Sequence, residues 1–106
     1  MSHVLSVKAF DGRRVVLLDE VWLHIRFRHP EAGSGTELLS AALTQPDEAY
    51  RNGRGAVHAL KRADEGYFLV VIYEPTNNEG LVRTAYLTNV KRKDRRYRQL
   101  QSLKRS

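Results

Sequence analysis

The chain has 106 residues, enough for one small domain with a single hydrophobic core but not for two such cores. No stretch approaches the roughly 18 consecutive apolar residues that a membrane helix needs, and the N-terminal segment lacks a secretory signal, so we expect a cytoplasmic protein. Because the sequence contains no cysteine, it excludes disulfides, thiolate metal sites and cysteine nucleophiles.

The net charge of +6 is concentrated at the C-terminus. Residues 91–106 hold eight basic side chains and one acidic side chain, whereas the other 90 residues hold ten basic and eleven acidic ones. Because a block of like charge is usually solvated, we expect a loosely attached basic tail that is helical over residues 95–103. Such a tail serves either solubility or electrostatic contact with nucleic acid, and the sequence leaves both interpretations open.

Two apolar runs rich in β-branched residues begin the chain. Residues 4–10 and 13–18 predict two strands, and the Asp11-Gly12 dipeptide between them favours the tight turn of a β-hairpin.

The acidic pair Asp19-Glu20 precedes a run whose side chains recur at three- and four-residue spacing, which predicts a first helix. Because Pro30 disfavours helical backbone at the residue before it, this helix should end near Arg28 or His29. The face of the helix that is predicted to be buried consists of Leu18, Val21, Trp22, Ile25 and His29.

A second helix and a series of strands follow. Ser34 and Glu37 have the spacing of a capping box before the apolar residues 38–43, so we predict a helix that ends at Gln45-Pro46. Four later runs are separated by turns that contain glycine or proline, and they predict an antiparallel meander. These runs are residues 48–52, 56–61, 67–73 and 81–87.

The order of these elements predicts an α+β domain over residues 1–90, followed by the basic tail over residues 91–106. The domain is expected to contain an N-terminal β-hairpin, two helices and then a four-stranded antiparallel β-sheet. The two helices should pack on one face of the sheet, which leaves the other face, or one end of it, free for a site.

Two segments give the chain a specific resemblance to known domains. HIxxRHPE at residues 24–31 and TAY at residues 84–86, together with the hydrophobic pattern over about residues 20–93, resemble small phage-associated and bacterial domains of the barnase/EndoU/colicin/RelE-like (BECR) nuclease fold. The resemblance implies a pair of helices, a four-stranded antiparallel sheet and a metal-independent ribonuclease site on the sheet near the first helix. The sequence departs from the pattern at His58-Ala59, where an aromatic pair is expected.

Metal-independent RNA cleavage needs a base for the 2′-hydroxyl proton, an acid for the leaving 5′-oxygen, and cations near the phosphoryl oxygens. Histidine suits the first two tasks near neutral pH, and the planar guanidinium of arginine suits the third. We therefore take His24, Arg28, His29, Thr84 and Tyr86 as candidate catalytic residues. His24 and Arg28 lie four residues apart on one flank of the first helix, and Thr84 and Tyr86 share one face of the last strand.

Each candidate also has a purely structural interpretation. His29 can be a helix-terminal residue bonded to a carbonyl group, His24 can be a boundary residue without a role, and Thr84 and Tyr86 have high strand propensity. The candidate substrate-binding residues are Arg51, Lys61, Thr88, Lys91 and Arg92, although a strand lysine often only covers apolar surface with its alkyl chain. We expect no metal ion, since His24 and His29 are five residues apart, whereas ligands on one face of a helix are three or four apart. We expect no other cofactor.

The sequence supports two hypotheses of function. In the first, the protein is a toxin-like or phage-associated ribonuclease that cleaves RNA by acid/base transesterification, and an acidic antitoxin or immunity-type protein is an expected partner. In the second, it is a non-catalytic module of the same fold that binds nucleic acid or a protein. Neither hypothesis involves a membrane.

Overall fold

A computed structural model describes residues 2–32 and 35–104 and defines the following elements. The strands are β1 (His3–Lys8), β2 (Arg14–Leu18), β3 (Glu48–Arg51), β4 (Val57–Asp64), β5 (Tyr67–Pro75), β6 (Glu79–Asn89) and β7 (Gln101–Lys104). The helices are α1 (Asp19–Arg28), α2 (Glu37–Thr44) and α3 (Val90–Tyr97), and a short 3-10 turn, Pro30–Ala32, follows α1.

All of these strands belong to one mixed sheet in the order β1-β2-β6-β5-β4-β3-β7. The α+β class is confirmed, but the prediction of a separate hairpin and a four-stranded antiparallel sheet is wrong. The four predicted strands form the centre of the sheet, and β2 extends it by pairing in parallel with β6 over three residue pairs. At the opposite edge, β7 pairs with β3. The hairpin and the C-terminal segment are thus parts of the same sheet.

Local sequence signals explain where α1 ends and why the hairpin turns at Gly12. The helix α1 ends at Arg28, as predicted from Pro30, and the His29 N–H donates to the Ile25 carbonyl oxygen at 2.7 Å. In the β1–β2 turn, Gly12 has a φ of 89°, a left-handed conformation that glycine adopts without steric cost. The predicted capping residue Ser34 lies outside the described residues, and Thr36 occupies the N-cap of α2 without a side-chain capping hydrogen bond.

Each face of the sheet has its own apolar cluster. On one face, α1 and α2 bury Ile25, Leu39 and Leu43 against a cluster that includes Leu17 and Tyr73. On the other face, Tyr97 from α3 packs with Tyr50, Leu60, Phe68 and Val70. The second face, which the sequence left open for a site, is therefore partly covered by α3.

The basic segment is not the loosely attached tail expected from its composition, at least as far as Lys104. The helix predicted over residues 95–103 is also wrong in its bounds, because α3 spans Val90–Tyr97 and residues 101–104 form β7. Tyr97 is 4% exposed and Lys93 is 7% exposed. Lys93 Nζ lies 3.0 and 2.9 Å from the two carboxylate oxygens of Glu48. Burial alone would lower the pKa of Lys93, but hydrogen bonds to Asp94 and Glu48 outweigh it and raise that pKa. This ion pair and the stacking of Tyr97 on Tyr50 hold α3 on the sheet.

Candidate functional site

A groove between β6 and α3, here called the α3 groove, carries the highest density of the candidate residues. Its cations lie on α3 at positions i, i+3 and i+4, so they share the side of the helix that faces β6. The Asn89 side chain accepts a hydrogen bond of 2.8 Å from the Arg92 N–H and so fixes the start of this helix. The residues that line the groove are Tyr86, Leu87, Thr88, Arg92, Arg95 and Arg96.

The His29 imidazole and the Arg96 guanidinium both lie near the ring of Tyr86. The ring centroids of His29 and Tyr86 are 5.8 Å apart, and the Arg96 guanidinium carbon lies 5.7 Å from the Tyr86 centroid. The Tyr86 hydroxyl is buried and has no hydrogen-bond partner of standard geometry within the described ranges. Burial and the neighbouring Tyr86 together raise the pKa of Tyr97.

His29 stands at the C-terminal end of α1 with its side chain partly open to solvent. Its backbone N–H is used by the helix end, while its carbonyl oxygen accepts from the Ala32 N–H at 2.9 Å. Its Nδ1 atom lies 3.7 Å from Glu31 Oε2, and 37% of its side chain is exposed. A carboxylate on the Nδ1 side favours the neutral tautomer that carries its proton on Nδ1, and in this tautomer Nε2 can act as the proton acceptor.

The other helical candidates do not join this group. His24 is exposed and lines a separate depression together with Glu20, Leu81 and Arg83, near the beginning of β6. Arg28 is also exposed, as is Lys91 on α3, and neither lines the α3 groove. The structure therefore brings His29, rather than the His24 and Arg28 flank, into contact with Tyr86.

The strand candidates divide between the two faces of the sheet. Thr84 lies two residues before Tyr86 on the α3 side and is half-buried, and Thr88 lines the α3 groove. Lys61 belongs to the opposite side, where its Nζ donates to the Gln45 carbonyl oxygen at 2.8 Å and lies 3.8 Å from Asp47. Lys61 therefore secures the end of α2 at a distance from the groove.

A buried chain of hydrogen bonds lies behind the groove. Asn52 Oδ1 accepts from the backbone N–H groups of Arg54 and Ala56, so the Asn52 amide nitrogen faces His58 Nε2, at 3.1 Å. His58 Nε2 must then accept, which places the proton on Nδ1, and Nδ1 donates to the Tyr97 hydroxyl at 2.8 Å. Burial, together with the nearby Arg96, lowers the pKa of His58 to about 4, so this imidazole is neutral at pH 7.

A second groove, here called the arginine groove, opens at the end of the sheet where the β3–β4 turn meets β5 and β6. It contains Arg51, one of the predicted substrate-binding residues, among four arginines. The groove is lined by Arg13, Arg51, Asn52, Arg54, Gly55, Ala56, Ile72, Glu74, Pro75 and Arg83.

Sequence reasoning missed Arg95, Arg96, Asn52 and Tyr97. The two arginines were missed because residues 91–106 were expected to form a loosely attached tail. Their spacing from Arg92 would have placed all three on one side of a helix. The pairing of Asn52 with His58 could have been found from the short loop between β3 and β4, because residues at or near the two ends of such a loop lie close together.

No cluster of three or more histidine, aspartate or glutamate side chains within the described ranges could hold a metal ion. Among the same residues, no helix is long and apolar enough to cross a membrane. No known family model matches the chain, and neither the curated proteins nor the solved structures include a significant match.

Proposed function

We propose that the protein is a cytoplasmic, metal-independent ribonuclease whose reaction takes place at the α3 groove. The observation that carries this proposal is the convergence of His29 and Arg96 on the ring of Tyr86, at 5.8 and 5.7 Å, beside two further arginines. A proton acceptor next to several guanidinium groups supplies the base and the cations that RNA transesterification requires, and solvent supplies the acid for the leaving oxygen.

In the proposed reaction, His29 Nε2 removes the proton of an RNA 2′-hydroxyl. The 2′-oxygen attacks the adjacent phosphorus, the bond to the 5′-oxygen breaks, and that oxygen takes a proton from solvent, which yields a 2′,3′-cyclic phosphate. Glu31, near Nδ1, stabilises the imidazolium that forms. Arg92, Arg95 and Arg96 stabilise the charge on the phosphoryl oxygens, and Tyr86 is a positioning residue for His29 and Arg96.

The resemblance to BECR-fold nucleases supports the same proposal. HIxxRHPE supplies His29 and Glu31, and TAY supplies Tyr86, so the most specific parts of the resemblance contain groups that lie together. A toxin-like or phage-associated role, with an acidic inhibitor protein that covers the arginines, belongs to this proposal.

One observation favours a non-catalytic RNA-binding module as the second candidate. His58, whose ring bonds to Tyr97 of α3, is buried and neutral, so no second histidine beside the groove can protonate the leaving group. A binding module would need only the cations of the groove, and its affinity for RNA would fall steeply with salt.

Incubation of the purified protein with single-stranded RNA in EDTA tests the proposal. We expect cleavage that leaves 2′,3′-cyclic phosphate ends, together with no cleavage of an otherwise identical 2′-O-methyl RNA, which lacks the nucleophile. Salt-sensitive binding of both RNAs without cleavage of either would replace the ribonuclease proposal by the binding module.

A further inference from the structure

The arginine groove contains more positive charge than its carboxylates neutralise. Arg13 Nη1 lies 2.7 Å from Asp11, and Arg83 Nη1 lies 3.4 Å from Glu74 in a pair whose side chains are more than half exposed. Within the described part of the chain, Arg51 and Arg54 have no carboxylate within 4.0 Å. Two guanidinium groups are therefore available to an anionic ligand.

The turn that carries Arg54 is held in one conformation by its own hydrogen bonds. Asn52 Oδ1 accepts from the Arg54 and Ala56 N–H groups at 2.9 and 3.0 Å. Gly55, with a φ of 89°, donates its N–H to the Asn52 carbonyl oxygen at 3.0 Å. Because the turn is ordered before any ligand binds, less conformational entropy is lost when Arg54 contacts a phosphate.

The arginine groove and the α3 groove are connected along β6. Thr84 and Tyr86 are two residues apart on β6, so both lie on the α3 side of the sheet. Thr84 pairs with Ile72, which lines the arginine groove. Arg83 lies three residues before Tyr86, a separation of about 10 Å at the usual rise of a strand. A single extended strand of nucleic acid could therefore contact both grooves at once.

We propose that the arginine groove binds the phosphodiester backbone of the same RNA strand whose reacting phosphate occupies the α3 groove. This inference rests on the proposed function, because it takes the ligand to be RNA. Arg51 and Arg54 bind phosphates a few nucleotides from the reacting one, and Arg83 exchanges its exposed contact with Glu74 for a phosphate. A groove lined by four arginines suits several phosphates of one strand better than a single free phosphate ion.

Binding of non-cleavable 2′-O-methyl RNA to the full chain tests the inference. The probes are oligonucleotides of about four and about twelve nucleotides, and only the longer one can span both grooves. The test variant is the double substitution Arg51→Ala/Arg54→Ala. The matched control is Arg26→Ala/Lys104→Ala, which removes the same charge from two exposed residues that line neither groove.

We expect the test variant to bind the longer RNA about tenfold more weakly than the wild type does. The slope of its log affinity against log salt should be smaller in magnitude by about 1.4. Its affinity for the shorter RNA should equal that of the wild type. The control should bind both RNAs like the wild type. The single variant Arg54→Ala, on an exposed turn, should show about half of the loss, and thermal melting verifies that each variant is folded.

Wild-type affinity of the test variant for the longer RNA would overturn the inference, as would an equal loss for both lengths. Competition by inorganic phosphate at constant ionic strength, dependent on Arg51 and Arg54, would assign the groove to a free phosphate instead. If wild type cleaves RNA but the test variant binds normally, the inference fails while the proposed function stands. If wild type neither binds nor cleaves RNA, the proposed function fails with it.

Discussion

At the scale of single residues, the two histidines on the α3 side of the sheet have opposite environments. His29 is partly open to solvent beside Glu31, whereas His58 is 2% exposed and its two ring nitrogens bond to Asn52 and Tyr97. Proton transfer requires access to solvent or substrate, and a buried neutral ring that holds a network together lacks it. The proposed chemistry therefore uses His29, and His58 contributes to stability.

The buried imidazole predicts a pH dependence of stability. The folded pKa of His58 is about 4, below the ordinary value of 6.5, so between these pH values the unfolded chain binds a proton that the folded chain does not. The contribution of His58 to the free energy of unfolding should be fully present above pH 6.5. It should fall by about 2–3 kcal/mol as the pH decreases to 4. Urea unfolding at a series of pH values measures this change. The variant His58→Gln should lack this part of the pH dependence, and an unchanged slope in the variant would contradict the assignment.

At the scale of secondary structure, the contact between β2 and β6 depends on a glycine. A Cβ atom on Gly80 would lie 2.9 Å from Tyr73 Cδ2 and 3.2 Å from Val15 Cγ2, in the region where the hairpin joins the main sheet. Tyr73 is fully buried, and its hydroxyl donates to Asp11 at 2.8 Å, so the ring has little freedom to move away.

We expect Gly80→Ala to destabilise the fold by about 2 kcal/mol through overpacking. Chemical denaturation followed by circular dichroism measures the change. Gly53→Ala is the matched control, because a Cβ atom there meets nothing within 4 Å and the residue has no positive φ. Equal stability of the two variants would show that β2 and β6 do not approach each other this closely.

At the scale of the whole molecule, local signals in the sequence located the elements but not their partners. Pro30 fixed the end of α1 and Asp11-Gly12 fixed the hairpin turn, because both effects act within a few residues. The parallel pairing of β2 with β6 joins positions more than sixty residues apart, and the strand pattern of neither segment specifies it. The fold class could be predicted from the sequence, whereas the seven-stranded sheet could not.

The candidate site was predictable to a similar extent. The helical pattern placed His29 in the apolar stripe of α1, next to Ile25, and that position directs it toward β6. Composition was misleading for α3: Lys93 and Tyr97 are buried on a helix whose other side chains are mostly charged, so overall charge suggested a solvated tail. Arg96, the partner of Tyr86, was missed for this reason.

The rate of RNA cleavage in EDTA by His29→Ala, beside that of His24→Ala, tests the central claim most directly. Both substitutions remove one imidazole from α1 or its C-terminal end, but only His29 lies against Tyr86. We expect His29→Ala to lose at least about 100-fold in rate, since a general base contributes on that order, and His24→Ala to cleave at nearly the wild-type rate. Wild-type activity in His29→Ala, or an equal loss in both variants, would contradict the assignment of the reaction to the α3 groove.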